Sequence, residues 1–137
     1  MTAEDLRDPT RKLYTRHRED VYMRIQENDQ TGIFSTYANI FLAGFAIGFH
    51  FDMKESARGN GSKNHMNMDP IPVHHQKLII ALMTERHPNE FTDKDSLWTA
   101  VEDYAEYGVV RLCESLKRTD WVLDVQDVLS TSGDSKA

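Results

Sequence analysis

The residue types in this chain best able to do chemistry are six histidines, one cysteine and a scatter of carboxylates. His65, His74 and His75 lie close enough in sequence to be weighed as metal ligands. Transition-metal sites add spacing to proximity, as two histidines a helical turn apart, a cysteine pair or a Glu-xx-His unit, and none accompanies these three. No cofactor is therefore expected, and a metal-dependent nuclease or hydrolase built on them is the weakest of the readings below. Cys113 sits among Val109, Leu112 and Leu116 on a predicted helix and reads as a small buried apolar residue. Asp52 with Glu55, and Glu102 with Asp103 and Glu106, have the make-up of acid–base pairs. The second set is expected on the exposed side of an amphipathic helix, where Glu102→Ala would cost within about 0.5 kcal/mol. No serine or cysteine carries a nucleophile signature, so the sequence gives no ground to expect an enzyme.

Charge offers a second kind of chemistry. The formal net charge is −6, yet the bases are grouped. Arg11, Lys12, Arg16 and Arg18 fall within nine residues that hold no acid, and Lys54, Arg58 and Lys63 fall in a later segment. Residues 90–137 carry eleven acids against five bases, so attraction to nucleic acid is not a property of the whole chain. Those seven cations are the candidate DNA-binding residues, with a solvated helix face as the alternative.

These groups must be positioned by helices. At 137 residues and 39% hydrophobic content the chain is long enough for one domain with a true core. Residues 1–9 are expected to be a flexible lead, and Thr10 to Asn28 a helix with its cations outward. Asp52 to Val73 reads as a long loop, rich in turn residues at Gly59-Asn60-Gly61-Ser62 and held extended at Pro70-Ile71-Pro72. His74 to Arg86 follows as a helix with Leu78, Ile79, Leu82 and Met83 on its apolar face, stopped by His87-Pro88. Thr92 would cap the next helix, and Thr119 or Asp120 a last one with Trp121, Val125, Val128 and Leu129 along its stripe. Residues 130–137 are expected to be a disordered tail.

The stretch Ile33 to Phe51 carries the most continuous apolar character. Thr31-Gly32 breaks the chain before it, Ser35 or Thr36 can cap it, and from Tyr37 it is apolar almost all round. It should be the central helix of an all-α single domain, residues 10–129, of about five helices. Short β segments around Ile33-Phe34 or Ile71 to Val73 are an allowed addition. Gly44 and Gly48 lie one turn apart on one face, and their missing side chains let a backbone approach closely. That face serves either packing within the domain or a seam with a second copy or a partner. The expected core is Val21, Ile25, Phe34, Ile40, Phe41, Phe45, Phe49, Leu78, Leu82, Leu97, Val101, Tyr104, Leu112, Trp121 and Val125. The apolar run Ile40 to Phe49 is shorter than the ~20 residues of a membrane span, and the acidic N-terminus lacks a signal pattern, so a cytoplasmic protein is expected.

Two blocks carry a resemblance. One is Gly32-Ile33-Phe34-Ser35-Thr36, running through Ala43, Ala46 and Ile47 to Gly48. The other is Val101-Glu102-Asp103-Tyr104-Ala105-Glu106-Tyr107-Gly108 with Leu112 after it, similar to a Glu-Tyr-Ala-Asn-Gly-Gly block but differing at Glu106 and Tyr107. Together they resemble a family of small accessory proteins associated with Dnd systems, which modify DNA by backbone phosphorothioation and are often coupled to restriction of unmodified DNA. The match covers about Asp20 to Leu129. The resemblance implies a non-catalytic accessory or adaptor subunit of an antiphage defence system, with larger subunits as partners and DNA as a further one. A DNA-binding regulator using the basic segment 10–18 and loop 54–63 is the alternative.

Overall fold

The computed structural model describes residues 3–16, 18–59 and 64–117. The expected last helix with Trp121, Val125, Val128 and Leu129, the tail 130–137, Lys63 and the side chain of Arg18 lie outside the described residues. The chain is mainly helical. A short α1 (Ala3–Leu6) leads to strand β1 (Lys12–Tyr14), and a single π-helical turn, Arg18–Tyr22, runs into α2 (Met23–Asn28). Then come α3 (Tyr37–Phe51), strand β2 (His65–Asn67), α4 (Val73–Arg86) and α5 (Lys94–Lys117). The strands form an antiparallel ribbon with Lys12 opposite Asn67, Leu13 opposite Met66 and Tyr14 opposite His65. No described helix is long and apolar enough to cross a membrane.

α3 begins where its sequence says it should. The Thr36 side chain accepts a hydrogen bond from the Asn39 amide at 3.2 Å, satisfying one of the free donors of the first turn. It ends at Asp52, in the left-handed region at φ 52°, whose amide reaches back to the last turn. α4 stops at His87, ahead of Pro88. α5 is capped by Asp93, not by Thr92: the Asp93 carboxylate accepts from the Ser96 amide at 2.7 Å.

α5, not α3, is the hub. α1, β1, the π-turn, α2, α3 and α4 all touch it. α3 packs mainly on α5 and leaves Ala46, His50 and Phe51 exposed. The contact is made by glycines on both helices. A Cβ at Gly108 would lie 1.7 Å from the Gly44 carbonyl oxygen, and one at Gly48 would lie 2.0 Å from that of Tyr104. Only bare backbone fits there, so the Gly44/Gly48 face, one of whose expected uses was an oligomer or partner seam, is closed within the chain.

Other expectations are corrected too. Residues 3–9 are not a free lead: Leu6 is buried and its carbonyl accepts from the Trp98 indole N–H at 2.8 Å. The helix expected over Thr10 to Asn28 is helical only from Arg18 onward; before it, Leu13 and Thr15 alternate inward while Lys12 and Tyr14 do not, the two-residue period of a strand. Pairing continues at both ends of the ribbon, with the Met68 amide on the Arg11 carbonyl and the Thr15 amide on that of Asn64. The β segments are therefore here, not at Ile33-Phe34 or Ile71 to Val73. Ile25, Phe34, Ile40, Phe41, Phe45, Leu97, Val101 and Tyr104 are core as expected. α4 is turned from the expected face, burying Gln76, Ile79, Ile80 and Met83 while Leu78 stays 55% exposed. Val21, Phe49, Leu82 and Leu112 are only partly buried.

Candidate functional site

Three arrangements bring together side chains with chemical potential, and the first two are anchored on α5. The first is a charge cluster. Asp95, Thr99 and Glu102 recur at helical spacing on one face of α5, and Arg11, just before β1, reaches all three. Its Nη1 lies 2.8 Å from Asp95 Oδ1, its Nη2 3.2 Å from Thr99 Oγ1 and its Nε 3.1 Å from Glu102 Oε2. The Arg11 side chain is only 7% exposed and that of Glu102 0%. Arg58 comes in from the segment after α3, 3.7 Å from Glu102 Oε1, with its guanidinium 4.3 Å from the centre of the Tyr14 ring. Burial holds the Glu102 carboxyl above the usual carboxylate range, against the pull of Arg11, whereas the hydrogen bond from Arg11 holds Asp95 below it.

Farther along α5, Glu106 is buried and accepts from the Arg16 amide at 3.2 Å. Burial, with Glu106 nearby, pushes the Tyr22 phenol well above its ordinary value. Asp103 accepts from the Ala57 amide at 3.0 Å, and its carbonyl accepts from the Glu55 amide. These bonds lay residues 55–57 along α5. The expected long loop 52–73 is thus docked at one end and a strand at 65–67. The expectation that Glu102 and Glu106 lie on the exposed side of this helix is overturned, since the middle of α5 is covered on that side by β1 and the π-turn.

The second arrangement joins the C-terminal ends of α3 and α4. The Tyr104 hydroxyl lies 2.5 Å from Asp52 Oδ1 and 3.1 Å from His87 Nε2. Arg86 donates to the Phe49 carbonyl and sits over the Phe49 ring, and Lys54 sits 4.9 Å over the ring of Tyr104. Cations gather here because the free carbonyls of two helix ends carry partial negative charge. Burial, then the hydrogen bond to Asp52, pushes the Tyr104 phenol up to about 12, so it stays protonated and acts as a donor. The same bond, helped by Arg86, His87 and Lys54, holds Asp52 below its ordinary value. Tyr104→Phe is expected to cost about 1 kcal/mol near neutral pH. A lowered acid contributes stability that is present above its unfolded pKa and lost as pH falls through its folded one. The deficit of the variant should therefore shrink in urea melts run at acid pH.

The third is an apolar trough between α3 and α4, of about 320 Å³, lined by Leu42, Phe45, Ala46, Phe49, His75, Leu78, Ile79 and Leu82. It runs on past Phe49 and Leu82 into a recess of about 310 Å³ bordered by Glu85 and Arg86. Its single polar feature is His75, whose Nδ1 is buried and makes no hydrogen bond among the described residues.

The candidate residues divide accordingly. Arg11 is consumed by the internal cluster and Arg58 half so, which removes them as free phosphate contacts. Lys12, Arg16 and Lys54 are exposed. His74 and His75 lie with ring centres 4.2 Å apart and planes tilted by 54°, while His65 is in β2. Among the described residues, no group of three His, Cys, Asp or Glu is placed to hold a metal. The buried charge cluster escaped sequence reasoning. The available signal was Glu102 and Glu106 each one turn from buried apolar residues, Trp98 and Val109 among them, on a helix with little polar surface to spare. No family model, curated protein or solved structure matches the chain.

Proposed function

We propose that this chain is a non-catalytic accessory subunit of a phosphorothioation-linked defence system, engaging a larger subunit through the α3–α4 trough. The setting comes from the resemblance carried by Gly32 to Gly48 and Val101 to Gly108. The mode of action is supported by one observation: among the described residues, an apolar trough of about 320 Å³ lies open between α3 and α4. Apolar recesses rimmed by polar residues are where helices and loops of partners anchor. Leu78, one of the lining residues, is 55% exposed. Arg11 with Glu102 and Asp52 with Tyr104 are hydrogen-bonded to each other, which suits a structural role for these four.

The test is co-expression of the tagged chain with its native neighbouring genes. An untagged larger subunit should co-purify with the wild type and be lost with Leu78→Asp. That substitution lies on the surface, so stability should hold within about 0.5 kcal/mol. Recovery of a lone monomer from the wild type would overturn the proposal.

A further inference from the structure

A different surface carries an inference independent of the trough. The outer edge of the β1–β2 ribbon and the start of α3 enclose a polar recess of about 300 Å³, lined by Lys12, Tyr37, His65, Met66 and Asn67. In a chain of net charge −6, none of these lining residues carries a carboxyl group. Its polar groups are chiefly donors. Lys12 and Asn67 face each other across the ribbon, and the Lys12 ammonium lies 3.4 Å from Asn67 Oδ1. With its oxygen engaged, the Asn67 amide offers its N–H groups outward, and the ammonium keeps further donors. His65 adds an imidazole two residue pairs along, on the same face of the ribbon as Asn67.

Tyr37 supplies an aromatic wall. Its ring is set edge-on against the buried Tyr22, centres 5.4 Å apart at 73°, so it is held in place before any ligand arrives. A cation, an amide and an imidazole beside a fixed aromatic ring match an anion joined to a flat ring. The volume sits at the lower end of the ~300–1,000 Å³ typical of small-ligand sites, room for one such unit and too narrow for a duplex groove.

We propose that this recess binds a nucleotide, with Lys12 and Asn67 on the phosphate and Tyr37 beside the base. A phosphate on Lys12 makes affinity fall with salt, and a base on Tyr37 makes a nucleotide bind better than phosphate alone. The ligand is either a free mononucleotide or one unit of a single strand.

The test follows amide shifts of the full chain at low and at physiological salt during titration with thymidine monophosphate, a six-residue oligothymidylate or inorganic phosphate. Shifts at Lys12, Tyr37, His65 and Asn67 are expected with at least one nucleotide ligand, and which of the two binds tells the free unit from the strand. Lys12→Glu should weaken binding about tenfold or more and flatten the salt dependence. Asn67→Asp, which keeps the lysine but adds an anion, should weaken it as well, and both positions are exposed. Three results would overturn the proposal: no shift with any ligand at low salt, binding that both variants leave unchanged, or phosphate binding as tightly as the nucleotides. Capture of a larger subunit through Leu78 would be untouched by any of these outcomes.

Discussion

Gly108→Ala should unfold this protein or leave it barely stable, although alanine is the better helix former. At an open helix position the exchange gains about 1 kcal/mol. Here the added methyl would meet the carbonyl oxygen of Gly44 at 1.7 Å and its carbonyl carbon at 2.5 Å. A flexible side chain could swing away, but these atoms belong to the backbone of α3. The two helices must separate, which opens the contact that buries Phe41, Phe45 and Val109. Overpacking of a closed core costs about 1–3 kcal/mol and more where backbone is the obstacle. We expect a loss of about 3 kcal/mol or more, out of the ~5–15 that a domain of this kind has in total. Denaturant titration would show it as a lower midpoint at unchanged slope. Gly32→Ala is the useful contrast, because at φ +79° nothing lies within 4 Å and only the backbone conformation resists the change. A neutral or stabilised Gly108→Ala would mean that the helices do not meet there.

Arg11→Ala should cost about 3–5 kcal/mol near neutral pH, since it strands Glu102 in the interior without its closest counter-charge. The size of that loss depends on pH, and its sign follows from the direction of each shift. Burial already raises the folded pKa of Glu102, and Arg11 opposes the rise. A raised acid contributes stability that is fully present below its unfolded pKa and is lost as pH rises through its folded value. Without Arg11 the folded value climbs further, so the deficit should shrink as pH is taken from about 7.5 to about 5 and the buried acid takes up a proton. Asp95 moves the other way. Arg11 lowers it, so the contribution lost with Arg11 lies above its ordinary value and stays flat across that window. Unfolding at the two pH values separates the effects. A double variant, Arg11→Met with Glu102→Leu, should recover much of the loss, because a buried pair replaced by apolar side chains leaves no charge behind.

How far the sequence reveals this fold depends on whether a residue's environment is set by its neighbours in the chain. Thr36 caps α3 and His87-Pro88 ends α4 because both signals act through nearby backbone groups. The Gly44/Gly48 pair announced a close approach, but not which backbone would fill it, since Gly108 lies some sixty residues away. The Lys12–Tyr14 segment fits helical spacing through Leu13, Tyr14 and His17, and its strand partner is some fifty residues downstream. Glu102 and Glu106 look solvated from sequence because carboxylates usually are. What buries them is tertiary: Arg11 and the Arg16 amide arrive with β1 and its flanks. The trough was hidden for a related reason. Leu78 and Leu82 look like core on α4, and only the rotation that buries Ile80 and Gln76 turns them outward.

The central claim is that the glycine-notched face of α3 closes on α5 within one chain, leaving the α3–α4 trough as an open apolar surface among the described residues. Native-state amide hydrogen exchange tests it most directly, because it reports the stability of each helix separately in solution. The account predicts that the middle of α5 and residues 41–48 of α3 exchange together and slowest, by global unfolding, at rates independent of protein concentration. Rapid exchange at 44–48 while α5 stays protected, or protection there that grows with concentration, would contradict it.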